Sequence, residues 1–138
     1  MSAVLAPAAS AAANPQRLAA AGLRAFAGIA QAWGLSVDEQ LALLGQPPRS
    51  TYFAWRKQPD KAQLSRDTLE RLSNLLGIWK SLQILLPDPA AADAWLRKPN
   101  SAAPFGGASA LKRMLAGNVS DLHLVRRYLD GVRGGGWS

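Results

Sequence analysis

Cysteine is absent from the 138 residues, histidine occurs once, and the nine Asp and Glu are outnumbered by sixteen Lys and Arg. Without cysteine there is no disulfide framework, no thiolate nucleophile and no sulfur-ligated zinc, a composition that suits a reducing cytoplasm. With His123 alone, and no serine or pair of acids at a recognisable motif spacing, neither a catalytic triad nor a metal cluster can be assembled. The chain is therefore read as a non-enzyme without metal or cofactor, with His123 a surface residue. No run approaches the roughly 18 consecutive apolar residues of a membrane span. The opening "MSAVLAPAASAAANPQ" lacks the basic flank and continuous apolar centre of a signal peptide, so residues 1–14 are read as a disordered leader. Strand signals are nearly absent too, which leaves an all-α chain as the expectation.

What is present is a 49% apolar composition, enough for a buried core, and a net charge of +7. Eleven of the sixteen cations are arginine, whose planar fork matches phosphate and carboxylate oxygens. A polyanionic partner is consistent with that balance.

Helical periodicity with start and stop signals runs from Pro15 to the end. A first helix places Leu18, Gly22, Phe26, Ile29 and Trp33 at helical spacing and stops at Gly34. Ser36 and Glu39 form a capping-box pattern ahead of a short helix that buries Val37, Leu41 and Leu44 and stops at Gly45. Pro48 opens a third helix, "RSTYFAWRK", closed by Pro59. A longer helix from Ser65 to Leu86 carries two apolar stripes, Leu69, Leu72, Leu76 and Trp79 on one and Leu75, Ile78, Leu82 and Leu85 on the other. A helix apolar on both sides needs a cover on both sides. The second cover is either the C-terminal region or another copy of the chain, and a homodimer joined through Leu75, Ile78, Leu82 and Leu85 is the expectation taken forward. "PDPAAADAWLRKP" supplies a fifth helix and "NSAAPFGG" a loop, with Trp95, Pro99, Asn100 and Phe105 read as scaffold. "ASALKRMLAG" and "VSDLHLVRRYLDGV" are the last two helices, the final one apolar along Leu122, Val125, Leu129 and Val132.

Two short helices joined through "GQPP", the second carrying Arg49, Ser50, Arg56 and Lys57 without an acid, have the outline of a helix-turn-helix. At about 100° per residue, Thr51, Tyr52 and Trp55 share one side of the third helix and face the core. Arg49, Ser50, Phe53 and Lys57 lie roughly opposite, with Arg56 at their margin. Arginine can fork to guanine, serine can bond a phosphate or base edge, and phenylalanine can touch a thymine methyl, so these five residues are the expected DNA contacts. A generic helical hairpin with a solvated basic face is the alternative.

The C-terminal half carries "WLRKPN", "FGG", "ALKRMLAG" and "LHLVRRYLD", in that order and closely spaced. In these motifs it resembles the toxin-binding domain of the Xre/MbcA/ParS antitoxins, the partners of RES-domain toxins. Upstream, "LSVDEQLALLGQPPRSTYFAWRK" is similar to the Xre-like helix-turn-helix of the same antitoxins, and together the likeness spans about Ala20 to Trp137. The resemblance implies a cytoplasmic antitoxin that neutralises a RES toxin, an enzyme degrading NAD, by occluding its active-site cleft with the C-terminal region. It also implies repression of the antitoxin's own operon by operator binding. On that basis residues 15–62 are the DNA-binding domain and residues 63–138 the dimerisation and toxin-binding domain. The expected toxin contacts are Arg126, Arg127, Tyr128, Arg133, Gly134, Gly135, Gly136 and Trp137, the glycines permitting close backbone approach and the tryptophan serving as an anchor. A stand-alone helix-turn-helix transcription regulator, its C-terminal half used for dimerisation or sensing, is the competing reading.

Overall fold

The computed structural model describes residues 14–134. Among these, seven α-helices follow one another: α1 (Pro15–Ala32), α2 (Val37–Leu43), α3 (Arg49–Lys57), α4 (Arg66–Leu85), α5 (Pro89–Trp95), α6 (Ala110–Met114) and α7 (Val119–Arg133). A single 3-10 turn, Pro59–Lys61, lies between α3 and α4. The described residues contain no strand, only an isolated antiparallel bridge between Pro99 and Ser109. The all-α expectation holds.

Helices α1, α2, α4, α5 and α6 each start where a side chain can take up a free amide group, whereas α3, opened by Pro48, has no side-chain cap. The Asn14 side chain accepts from the Gln16 and Arg17 amides at the head of α1. Ser36 and Glu39 form the reciprocal capping box of α2, Ser65 accepts from Thr68 ahead of α4, and Ser109 accepts from Lys112 ahead of α6. The α2–α3 turn is held from below. Gly45 sits there at φ +90°, and a Cβ in its place would come within 2.9 Å of the Arg71 Nε. Arg71 is itself buried and pairs with Asp67 at 2.7 Å, so the turn rests on α4. Only glycine satisfies both the left-handed backbone and the close approach.

Along α1 the core takes Ala19, Leu23, Phe26, Ile29, Ala30 and Trp33. Leu18, expected in the same stripe, is 53% exposed. At about 100° per residue it falls roughly a quarter turn from the centre set by Ala19, Phe26 and Ala30, and Leu23 takes the core position instead. The helix is tied to the segment after α3: Gln16 donates to the carbonyls of Asp60 and Ala62, and Arg24 pairs with Asp60 at 2.8 Å.

The long helix α4 runs through the middle with α1 on one side and α7 on the other. Gly22 of α1 approaches Leu72, and Trp33 meets Trp79 with ring centroids 6.2 Å apart. On the opposite side, Leu75, Ile78 and Leu82 are 0%, 0% and 1% exposed within the single chain, where Leu122, Val125 and Leu129 of α7 are buried as well. The expected dimer seam is thereby corrected. Leu75, Ile78 and Leu82 have no surface to offer a second copy, and Leu85 is half-buried against the same core. The second apolar stripe is covered by the chain's own last helix.

The α5–α6 corner is closed by rings. Trp95 stacks on Tyr128 at 6.4 Å and 17°, and Phe105 meets Tyr128 edge-on at 5.2 Å. Asn100 and Gly107 pair with Ala108 and Asn100 across the base of the loop. Trp95 and Phe105 thus act as scaffold, as their positions between helices suggested.

Candidate functional site

Two surfaces carry the chemistry. The first is the outer side of α3. Tyr52 is its one buried residue, and the Tyr52 hydroxyl bonds the Gln40 side chain, whose amide in turn donates to the Leu35 carbonyl at 3.0 Å. That chain of bonds fixes α3 on α2, and burial of the ring pushes the Tyr52 hydroxyl above its usual pKa. With Tyr52 turned inward, Arg49, Ser50, Phe53, Arg56 and Lys57 are all exposed. Phe53 lies 5.8 Å from the Tyr52 ring and keeps 41% of its surface in solvent. The Arg56 guanidinium sits 5.9 Å over the same ring, which orients it at the rim of the helix.

Arg49 is engaged: it pairs with Asp38 of α2 at 2.7 Å. Both partners are mostly exposed, so the pair is worth little and a phosphate can displace the carboxylate. Lys61, in the turn after α3, is exposed on the same connection and was not singled out from the letters. Its signal, an unpaired cation within four residues of Lys57, was there to be read.

The second surface is built by α7 on α4. Arg126 lies across Gly77 and donates to the Ser73 carbonyl and hydroxyl at 3.2 and 3.4 Å. A Cβ on Gly77 would stand 2.4 Å from the Arg126 Nε, so the glycine opens the trough in which the guanidinium rests. One turn on, the Ser81 hydroxyl donates to Asp130 at 3.1 Å and accepts from Arg133 at 3.3 Å. Gly77, Lys80, Arg126, Asp130, Arg133 and Gly134 together line an open cleft of about 460 Å³. Three cations against one carboxylate leave the cleft with a positive excess.

Of the residues expected to meet a protein partner, Arg126, Arg133 and Gly134 come together in this cleft. Arg127 is exposed on α7 outside its lining. Tyr128 is half-buried, and its ring packs on Trp95 and Phe105, which gives it a structural role in the α5–α6 corner. Gly135, Gly136 and Trp137 lie outside the described residues. Lys80 was missed because it belongs to α4, 46 positions before Arg126 in the sequence.

A third contact ties the C-terminal half to the end of α1 and the start of α2. Arg97, from the "WLRKPN" motif, donates to the carbonyls of Trp33 and Gly34 at the end of α1, at 3.3 and 2.9 Å, and reaches Glu39 at 3.3 Å. The C-terminal half thereby satisfies carbonyls that the end of α1 leaves free. The Ser36 amide holds the Glu39 carboxyl below its usual range; burial opposes it, and the Arg97 charge and hydrogen bond add to the lowering. Asp38, next to Glu39, is the residue that holds Arg49.

His123 is exposed on α7, and no group of three or more His, Cys, Asp or Glu could hold a metal among the described residues. Among them, too, no helix is long and apolar enough to cross a membrane. The Antitoxin Xre-like helix-turn-helix domain matches residues 2–77, and the Antitoxin Xre/MbcA/ParS C-terminal toxin-binding domain matches residues 81–135. A protein of Sinorhizobium fredii, "Uncharacterized protein y4oB", is 52% identical over 113 residues, covering 82% of this chain and 84% of its own length.

Proposed function

Because the chain belongs to the antitoxins that join an Xre-like helix-turn-helix domain to an Xre/MbcA/ParS C-terminal toxin-binding domain, we propose that it neutralises a RES-domain toxin. The toxin is an NAD-degrading enzyme of the cytoplasm, and the antitoxin blocks its active site with the end of α7 and the tail beyond it. The observation that carries this reading is the cleft of Lys80, Arg126 and Arg133, which opens beside Gly134, where the chain leaves α7. A site shaped to receive the phosphates of NAD presents anion-seeking groups of its own, so the cations are best used against acidic residues at the mouth of the toxin, with the tail passing inward.

The same protein represses its own operon as a homodimer on double-stranded DNA. The exposed side of α3 enters the major groove, with Ser50, Phe53 and Lys57 towards the bases and Arg49 and Arg56 towards phosphates.

The test is NAD consumption by a RES-domain enzyme encoded beside the gene, measured with equimolar antitoxin. The full chain should stop NAD loss, and deletion of Gly134 to Ser138 should restore it while leaving the melting temperature unchanged. Undiminished inhibition by the shortened chain would overturn blockade by the tail. An enzyme indifferent to the full chain would leave the competing reading, a stand-alone regulator.

A further inference from the structure

A second open surface, between α1 and α4, adjoins the cationic cleft at Ser73, which accepts from Arg126, but is lined by apolar and small residues. Leu18, Ala21, Gly22, Ala25, Leu69, Leu72, Ser73 and Leu76 line a groove of about 540 Å³ without a charged group. Leu18 stands on its rim, 53% exposed, while the helix beside it is cut down to alanine and glycine. A projecting leucine beside a trough of small residues is a knob next to a hole. That arrangement is what an isologous contact requires, since each copy must give and receive the same patch.

The charges around the groove point the same way. Arg17 on α1 and Arg66 and Glu70 on α4 are exposed, and none of them has an ion-pair partner among the described residues. A rim that bears both signs can match a second copy of itself. The cleft of Lys80, Arg126 and Arg133 has a strong excess of one sign and suits a foreign acidic surface. An apolar floor depleted of charge inside a polar rim is also the anatomy of a protein interface.

We propose that the α1–α4 groove is the homodimer interface, occupied by α1 and α4 of a second copy, with Leu18 of each protomer seated in the other's groove. The proposal rests on the homodimer reading given above and moves its surface from the buried stripe of α4 to the opposite side of that helix. A two-fold pair would also present two copies of the nine-residue α3 to the duplex, each reading one half-site.

The test is sedimentation equilibrium of the full chain over a range of concentration, alongside Ala21→Glu, Ala25→Glu and, as a control, Arg133→Glu. Ala21 and Ala25 are exposed in the single chain, and glutamate is a good helix former, so both variants should keep the wild-type far-ultraviolet spectrum and melting behaviour. The expected result is a wild-type dimer, about a hundredfold weaker dimerisation in each alanine variant through burial of an unpaired charge, and no change with Arg133→Glu. A second set, Glu70→Arg, should weaken the dimer by a smaller factor. A monomeric wild type would overturn both the surface and the homodimer reading. A dimeric wild type whose alanine variants dimerise equally well would overturn the surface alone.

Discussion

Helices α3, of nine residues, and α7, of fifteen, both carry exposed arginines, yet they are attached to the molecule in opposite ways. In α3 one residue of nine, Tyr52, is fully buried, and the helix is held by that ring, its bond to Gln40 and the half-buried Trp55 beside it. In α7 Leu122, Val125 and Leu129 are sunk into the core, and Asp121 is buried too and pairs with Arg113 at 2.9 Å. The difference fits the roles proposed for the two surfaces. A helix that enters a groove in DNA needs most of its circumference free, so a narrow line of contact suffices. A helix that closes the second side of α4 must commit a full stripe, and only its flanks remain for cations.

Truncation of the two anchors separates these designs. Leu122 is fully buried at the seam of α4 and α7, and Leu122→Ala should lower the unfolding free energy by about 3 kcal/mol, the middle of the range for buried leucines. Urea denaturation followed by circular dichroism measures it. A loss below about 1 kcal/mol would mean that α7 does not close the core. A smaller change sharpens the contrast at α3. Tyr52→Phe keeps the ring and removes the hydroxyl, leaving the Gln40 carbonyl without its partner, and should cost about 1 kcal/mol. Operator affinity should fall more than global stability, because this bond orients the reading helix.

How much of this was legible in the letters depends on the distance over which each interaction acts. The capping box of Ser36 and Glu39 spans three residues and is written in the sequence, as are the two stripes of α4 and the inward turn of Tyr52. What covers a stripe is another matter. Leu75, Ile78 and Leu82 look the same whether α7 or a second chain lies over them, and the choice is made by contacts about 50 residues away, such as Arg126 with Ser73. Arg97 illustrates the same limit. Its motif marks a helix end, but its hydrogen bonds go to Trp33 and Gly34, more than 60 residues upstream. Tyr128 is a related case: a tyrosine among arginines on a C-terminal helix suggests an interface, and only the fold shows that its ring also packs on Trp95 and Phe105.

Two glycines give the finest test of the comparison, since each sits inside a helix at a cost of roughly 1 kcal/mol against alanine. A Cβ on Gly28 of α1 would meet nothing within 4 Å, so Gly28→Ala should raise stability by about 0.5–1 kcal/mol, read as a higher melting temperature. Gly77→Ala has the same propensity gain but drives a methyl into the Arg126 guanidinium, whose side chain is long, about one-third exposed and free to swing away. The lost bonds to Ser73, each worth about 1 kcal/mol at most, should cancel the gain, so the melting temperature should barely move. Inhibition of the toxin should nonetheless weaken, because Arg126 no longer lines the cleft. If Gly77→Ala instead stabilises as much as Gly28→Ala and inhibits as well as the wild type, then the trough does not position Arg126 for its partner.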